Sequence, residues 1–185
     1  MREAPVRRLI IAGCLIVGCL LGAMPRVGAA DGWAPCHGCE LRLGVGGTYH
    51  FWGRTGGAVI PATLSWDADR YELGLFRMAT RQTLGEANPR TSRVLAEPYW
   101  AVSASRRWKL TGTSRWRVFF GFGASYKSEA DPLNSTRWNF ASQLALRVRL
   151  AGNGSDLELS VRHWSNGGIR LPNRGQDFMT LSFAF

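Results

Sequence analysis

Three side chains near the C-terminus have the types and spacing of a hydrolytic site: His163, Ser165 and Asp177. A serine hydroxyl is a weak nucleophile until a neighbouring base accepts its proton, and imidazole is suited to that work near neutral pH. A carboxylate bonded to the other ring nitrogen fixes the tautomer and steadies the imidazolium that forms. His163 and Ser165 stand at i and i+2; on an extended strand that places both on one face, about 6.5 Å apart. Asp177, fourteen residues beyond the histidine, joins them only if the chain turns back in between. The same residue types also occur at the aqueous edges of ordinary sheets, where water satisfies them, so the surrounding elements decide the reading.

Those elements are strands. Trp138, Phe140, Ser142, Leu144, Leu146, Val148 and Leu150 alternate with Asn139, Ala141, Gln143, Ala145, Arg147 and Arg149. Trp116, Val118, Phe120, Phe122, Ala124 and Tyr126 alternate with Arg117, Phe119, Gly121, Gly123, Ser125 and Lys127. Period two over such lengths means extended chain. Eight strands are predicted, at 40–52, 57–67, 71–80, 97–108, 115–128, 136–150, 155–165 and 177–185. Arg77 and Pro98 interrupt the third and fourth, and Pro98 fits best at a strand start. The connectors at 68–70, 109–114 and 151–154 are short, whereas those at 81–96, 129–135 and 166–176 are longer. Short turns at one end and long loops at the other, with an even strand number, fit an all-β, eight-stranded antiparallel transmembrane barrel of the outer-membrane type.

Parity then places the candidate site. Leu157, Leu159, Val161, His163 and Ser165 share one row; Glu158, Ser160, Arg162 and Trp164 share the other. On the last strand Asp177 shares its row with Met179, Leu181, Phe183 and Phe185. If the apolar rows face lipid, the three polar groups meet on the outside of the barrel near its loop end, with Asp177 level with His163. Polar groups on a lipid-facing row are costly without partners. A soluble, lipocalin-like barrel would turn the apolar row inward instead, and alternation alone does not choose between the two. The loop asymmetry, the aromatics near strand ends (Tyr49, Phe51, Trp52, Trp66, Trp116, Trp138) and the terminal Phe185 favour the membrane. A soluble binder would leave cells without detergent. A structural or adhesive barrel, acting through its loops at 81–96 and 129–135, would be indifferent to loss of Ser165.

Residues 1–29 are read as a signal peptide and 30–185 as the barrel domain. Arg2, Arg7 and Arg8 precede an apolar stretch from Leu9 to Leu21, and Val27-Gly28-Ala29-Ala30 offers small residues for cleavage. Ile16-Val17-Gly18-Cys19 is a rival lipoprotein-type box, but it would leave an apolar run on the mature N-terminus. Removing residues 1–29 takes away four arginines and one glutamate, which lowers the formal charge from +10 to +7. A basic exported chain suits anionic lipid better than nucleic acid, although arginines lining a lumen explain the charge equally well. Cys36 and Cys39 remain in the mature chain and suit a local disulfide. Glu40 stands where a haem-attachment motif needs histidine, and one cysteine pair with His37 is half a zinc site. The residues imply no metal and no organic cofactor.

Around the triad the sequence reads Arg162-His163-Trp164-Ser165-Asn166-Gly167-Gly168-Ile169, then Pro172-Asn173, Gly175 and Asp177. This segment resembles the C-terminal motif of the lipid A 3-O-deacylase (PagL) family, whose members carry His-aromatic-Ser-Asn, then Gly, Pro-Asn and an acid. The resemblance implies an outer-membrane serine esterase that removes the 3-position 3-hydroxyacyl chain of lipid A in the outer leaflet. It implies His163 as general base, Ser165 as nucleophile and Asp177 as orienting acid, with the Asn166 side chain and the Gly168 N–H as oxyanion donors. Its partners would be lipopolysaccharide and the outer membrane, and a homodimer is left open. The family acid is glutamate, so Asp177 is one methylene short of the pattern.

Overall fold

The computed structural model describes residues 38–49, 55–82, 94–95, 98–130, 134–150, 155–171, 173 and 175–184. The expected signal peptide, Cys36 and Phe185 lie outside the described residues. The strands are β1 (Glu40–Tyr49), β2 (Thr55–Trp66), β3 (Tyr71–Gln82), β4 (Val94–Leu95), β5 (Tyr99–Gly112), β6 (Trp116–Lys127), β7 (Trp138–Arg149), β8 (Asp156–Ser165) and β9 (Gln176–Ala184). All pairings are antiparallel, and the sheet closes where β1 pairs with both β2 and β9. Eight long strands therefore form a barrel without an open edge, the only sheet form that satisfies its own backbone in lipid. The two-residue β4 is an extra arm that pairs with the end of β3 at Arg81↔Leu95 and Gln82↔Val94.

Exposure settles which row faces out. Leu41, Leu43, Leu73, Leu75, Val102, Phe120, Leu144, Leu146 and Leu181 are exposed, while Arg42, Glu72, Arg107, Arg147, Glu158 and Arg162 are buried. The charged row fills the lumen and the apolar row coats the wall. The soluble, lipocalin-like alternative is thereby overturned, because its apolar row would have to be the buried one. Rings cluster at both ends of the wall. Trp66 stacks on Tyr71 with centroids 5.8 Å apart at the turn end, and Tyr126 packs on Trp138 at 5.0 Å at the loop end. Arg106 and Arg77 lie over the rings of Trp108 and Trp100. Such amphipathic pairs belong at the two membrane–water boundaries.

Four buried arginines would not share a narrow lumen without counter-charge, and two glutamates act as hubs. Glu72 on β3 accepts from Arg42 Nη2 at 2.7 Å, Arg107 Nη1 at 3.0 Å, Arg162 Nη1 at 2.9 Å and Gln143 Nε2 at 3.2 Å. Glu158 on β8 accepts from Arg107 Nη2 at 2.8 Å and Arg147 Nη2 at 3.0 Å. Asp69 and Asp156 complete the set. The turn between β2 and β3 holds Asp67, Ala68 and Asp69 at φ of 52°, 52° and 69°, a left-handed run that non-glycine residues rarely adopt. It folds Asp69 back into the lumen, where Arg147 grips it through Nη1 at 2.8 Å and Nη2 at 2.7 Å. Phe119 also points inward here, and its ring faces the guanidinium groups of Arg107, Arg117 and Arg147.

Most strand limits differ from the sequence expectation by one or two residues, and the end of β5 by more. β5 runs to Gly112 rather than 108, with a bulge between Lys109 and Thr111. Its polar end lies beyond the apolar band, where hydropathy no longer marks a strand but the ladder continues. β5 begins at Tyr99, directly after Pro98, which has no N–H to offer the ladder.

Glu72→Ala would leave three guanidinium groups sharing what Glu158 and Asp69 can supply. We expect it to destabilise the refolded barrel by about 3–5 kcal/mol, the usual cost of removing one partner of a buried ion pair. Urea unfolding from lipid vesicles measures this.

Candidate active site

The candidate site is built by one hairpin and braced by two others. In the β8–β9 register His163 stands directly opposite Asp177, and both face outward. Their side chains meet, with His163 Nδ1 2.7 Å from Asp177 Oδ1. With the proton on Nδ1 the imidazole donates to the carboxylate, and Nε2 is left as the acceptor on the far side of the ring. The shorter acid at 177 thus reaches the histidine without help. Asp177 is largely shielded, its side chain 9% exposed, while that of His163 is 47% exposed. An inner, covered carboxylate and an outer, accessible imidazole is the polarity a general base requires.

Ser165 lies two residues further along the same face. A groove of about 320 Å³ on the outer wall is lined by Phe122, Phe140, Ser142, His163 and Ser165. Phe122 and Phe140 stack with centroids 6.2 Å apart and form its apolar side. Among the described residues no hydrogen bond links the Ser165 hydroxyl to the imidazole; the two groups share the groove as neighbours. Catalytic contacts of this kind commonly tighten only when substrate is bound. Ser142 is a residue that sequence reasoning absorbed into an apolar row. It is paired with His163 across β7 and β8, and its hydroxyl donates to the His163 carbonyl at 3.4 Å.

The other two expected site groups sit in the loop after β8. Asn166 is buried. Its Nδ2 donates to the Arg170 carbonyl at 2.7 Å, and its Oδ1 accepts the Gly168 N–H at 3.0 Å. Both expected oxyanion donors are therefore engaged in holding the loop. Asn173 continues the brace by accepting the Asn166 N–H at 3.0 Å. The loop after β6 supports it from the side through the Asn134↔Asn173 bridge and the Ser135 hydroxyl, which donates to the Arg170 carbonyl at 3.3 Å. Sequence reasoning missed this bracing role of Asn134, and no local pattern marks it.

Behind the wall, the lumen near the loop end holds an aromatic cluster. Trp164, between His163 and Ser165, points inward and packs edge-on against Phe76 at 5.1 Å and Phe178 at 4.8 Å. Phe178 is itself the residue after Asp177. The inward neighbours of all three candidate residues are thus locked together. Of the other acids, Glu158 belongs to the lumen network, and Glu97 lies outside the described residues. Cys39, just before β1, is disulfide-bonded. Among the described residues no group of three or more His, Cys, Asp or Glu side chains gathers to hold a metal.

Comparison with known proteins adds a family to this geometry. The family model described as lipid A 3-O-deacylase (PagL) matches residues 65–185. The crystal structure of the outer membrane enzyme PagL is similar in fold, with a TM-score of 0.51 and 18% identity, covering 79% of this chain and 98% of that one. The Yersinia pestis outer membrane protein Ail also matches, with a TM-score of 0.43 and 8% identity, covering 80% of this chain and 98% of that one. No curated protein shows a significant match.

Removing the aromatic anchor tests whether the lumen holds the wall. Trp164→Ala should lower stability in urea unfolding by about 3–5 kcal/mol, as large-to-small changes of buried rings do. Trp164→Phe, which keeps a ring against Phe76 and Phe178, should cost clearly less.

Proposed function

The chain belongs to the lipid A 3-O-deacylase family, and we propose that it removes the ester-linked 3-hydroxyacyl chain at position 3 of lipid A, using Ser165, His163 and Asp177. The observation that carries this reading is the His163–Asp177 pair, 2.7 Å apart on the lipid-facing wall beside Ser165. The substrate is a lipid of the same leaflet, so a site on the barrel's outside meets it by lateral diffusion. The apolar side of the groove, Phe122 and Phe140, suits an acyl chain. Export by a cleaved signal peptide at residues 1–29, with 30–185 as the mature barrel domain, belongs to the same reading.

Ser165 Oγ attacks the ester carbonyl while its proton passes to His163 Nε2, and Asp177 steadies the imidazolium through Nδ1. The tetrahedral intermediate collapses with cleavage of the bond to the sugar oxygen, which takes the proton from His163. Water, activated by the same imidazole, then releases the 3-hydroxy fatty acid and restores Ser165. Asn166 and Gly168 are the proposed oxyanion donors. The Gly168 N–H would have to leave Asn166 Oδ1 to serve, by rotation within the left-handed pair Gly167–Gly168, at φ 65° and 83°.

Lipid A from cells expressing the chain should lose one 3-hydroxy fatty acid by mass spectrometry. Ser165→Ala and His163→Ala should abolish that loss while the barrel still inserts; lipid A left unchanged by the wild-type chain would overturn the reading. Asp177→Asn can hold the wrong imidazole tautomer and should cut turnover strongly, about 10⁴-fold by analogy with other triads. Asp177→Glu should stay near wild type. Kinetics of the refolded barrel in detergent micelles separate the two, and full activity in Asp177→Asn would leave a Ser–His dyad.

A further inference from the structure

Gly175 is not part of the catalytic set, yet it lies against it. It precedes β9 by one residue, in the left-handed region at φ 71°. A Cβ built there would stand 2.4 Å from His163 Cε1, 3.2 Å from Nδ1 and 3.3 Å from Nε2. Real Cβ atoms essentially never approach a carbon as closely as the first of these distances. The bare face of the glycine is therefore packed on the one ring carbon that separates the two working nitrogens. The register explains why. The ladder ends at His163↔Asp177 and Trp164↔Gln176, and Gly175 directly precedes its last residue on β9. Any side chain at this position would press on the edge of the imidazole.

Alternative accounts of this glycine do not explain the contact. A positive φ alone is satisfied by asparagine as well as glycine. Gly168 shares the conformation at φ 83°, yet a Cβ there meets nothing within 4 Å. The crowding at 175 is specific to the imidazole. The adjacent ring atom, Nδ1, is fixed by Asp177 at 2.7 Å, so the ring cannot give way without lengthening that bond or swinging toward lipid.

We propose that Gly175 is a positioning residue, whose missing side chain leaves the His163 ring the place in which it bonds Asp177. This deepens the esterase reading and rests on it for the kinetic consequence, but the geometric claim stands apart from activity.

The test uses Gly175→Ala and Gly175→Asn in the full-length chain, refolded in detergent micelles. Asparagine tolerates the left-handed backbone, whereas both variants place a Cβ against the ring. Both should fold, shown by the same heat-modifiable gel migration as wild type. Both should lose turnover about 10²-fold, the scale of an ångström-sized misplacement, with KM for lipid A changed less than about twofold. In proton NMR the low-field resonance of the His163 Nδ1–H bonded to Asp177, identified by its loss in Asp177→Asn, should shift or vanish in both. Wild-type kcat in either variant, an unshifted resonance, or restoration by Asn of what Ala loses would overturn the proposal. So would failure of both variants to fold, which would assign Gly175 to barrel assembly. An inactive wild-type chain would sink the esterase reading alone, because the resonance still reports the ring.

Discussion

The carboxylates at the centre of the lumen are the constraint on which the rest of the barrel depends. Arg42, Arg107, Arg147 and Arg162 come from four different strands and point into one narrow space. Without Glu72 and Glu158 between them, their mutual repulsion and loss of hydration would open the sheet. With those acids in place, each guanidinium becomes a tie across the barrel, and β1, β3, β5, β7 and β8 are held in one register. Once the charges are satisfied inside, the outward row can be apolar between its two ends, as a lipid-facing wall requires.

A fixed register turns sequence separation into geometry. His163 and Asp177 are fourteen residues apart, yet they are direct neighbours because the β8–β9 ladder places them opposite each other. The wall around them is apolar, so the pair is shielded on the Asp177 side and open on the His163 side. The aromatic cluster of Trp164, Phe76 and Phe178 carries the rigidity of the lumen up to this level. A lipid-facing site has no cleft walls to orient its groups. Strand register, inward anchors and close glycine packing take over that role, and this is why neighbours that never touch substrate matter here.

The outward placement of His163, Ser165 and Asp177 was legible in the sequence, because period two and hairpin pairing are local rules. The same rules gave the eight long strands to within a few residues. They failed at β5, whose polar end beyond 108 is held by the ladder and not by hydropathy. They also could not see contacts made by residues distant in sequence. Phe76 on β3 meets Trp164 on β8 in an aromatic cluster that neither strand announces alone. Asn166 and Gly168 followed from a motif resemblance, and a motif does not disclose that each is bonded to its own loop. Gly175 was visible only as a letter in that motif; its contact with the imidazole is a fact of three dimensions.

The central claim is that Ser165, on the outside of the barrel, is a nucleophile made reactive by His163. A serine-directed phosphonate carrying a long alkyl chain tests it most directly, followed by intact-protein and peptide mass spectrometry of the refolded barrel. The account predicts a single adduct, mapped to Ser165, that forms on the wild-type chain and fails to form on His163→Ala. No adduct on the wild-type chain, an adduct at another serine such as Ser142, or equal labelling of His163→Ala would contradict it.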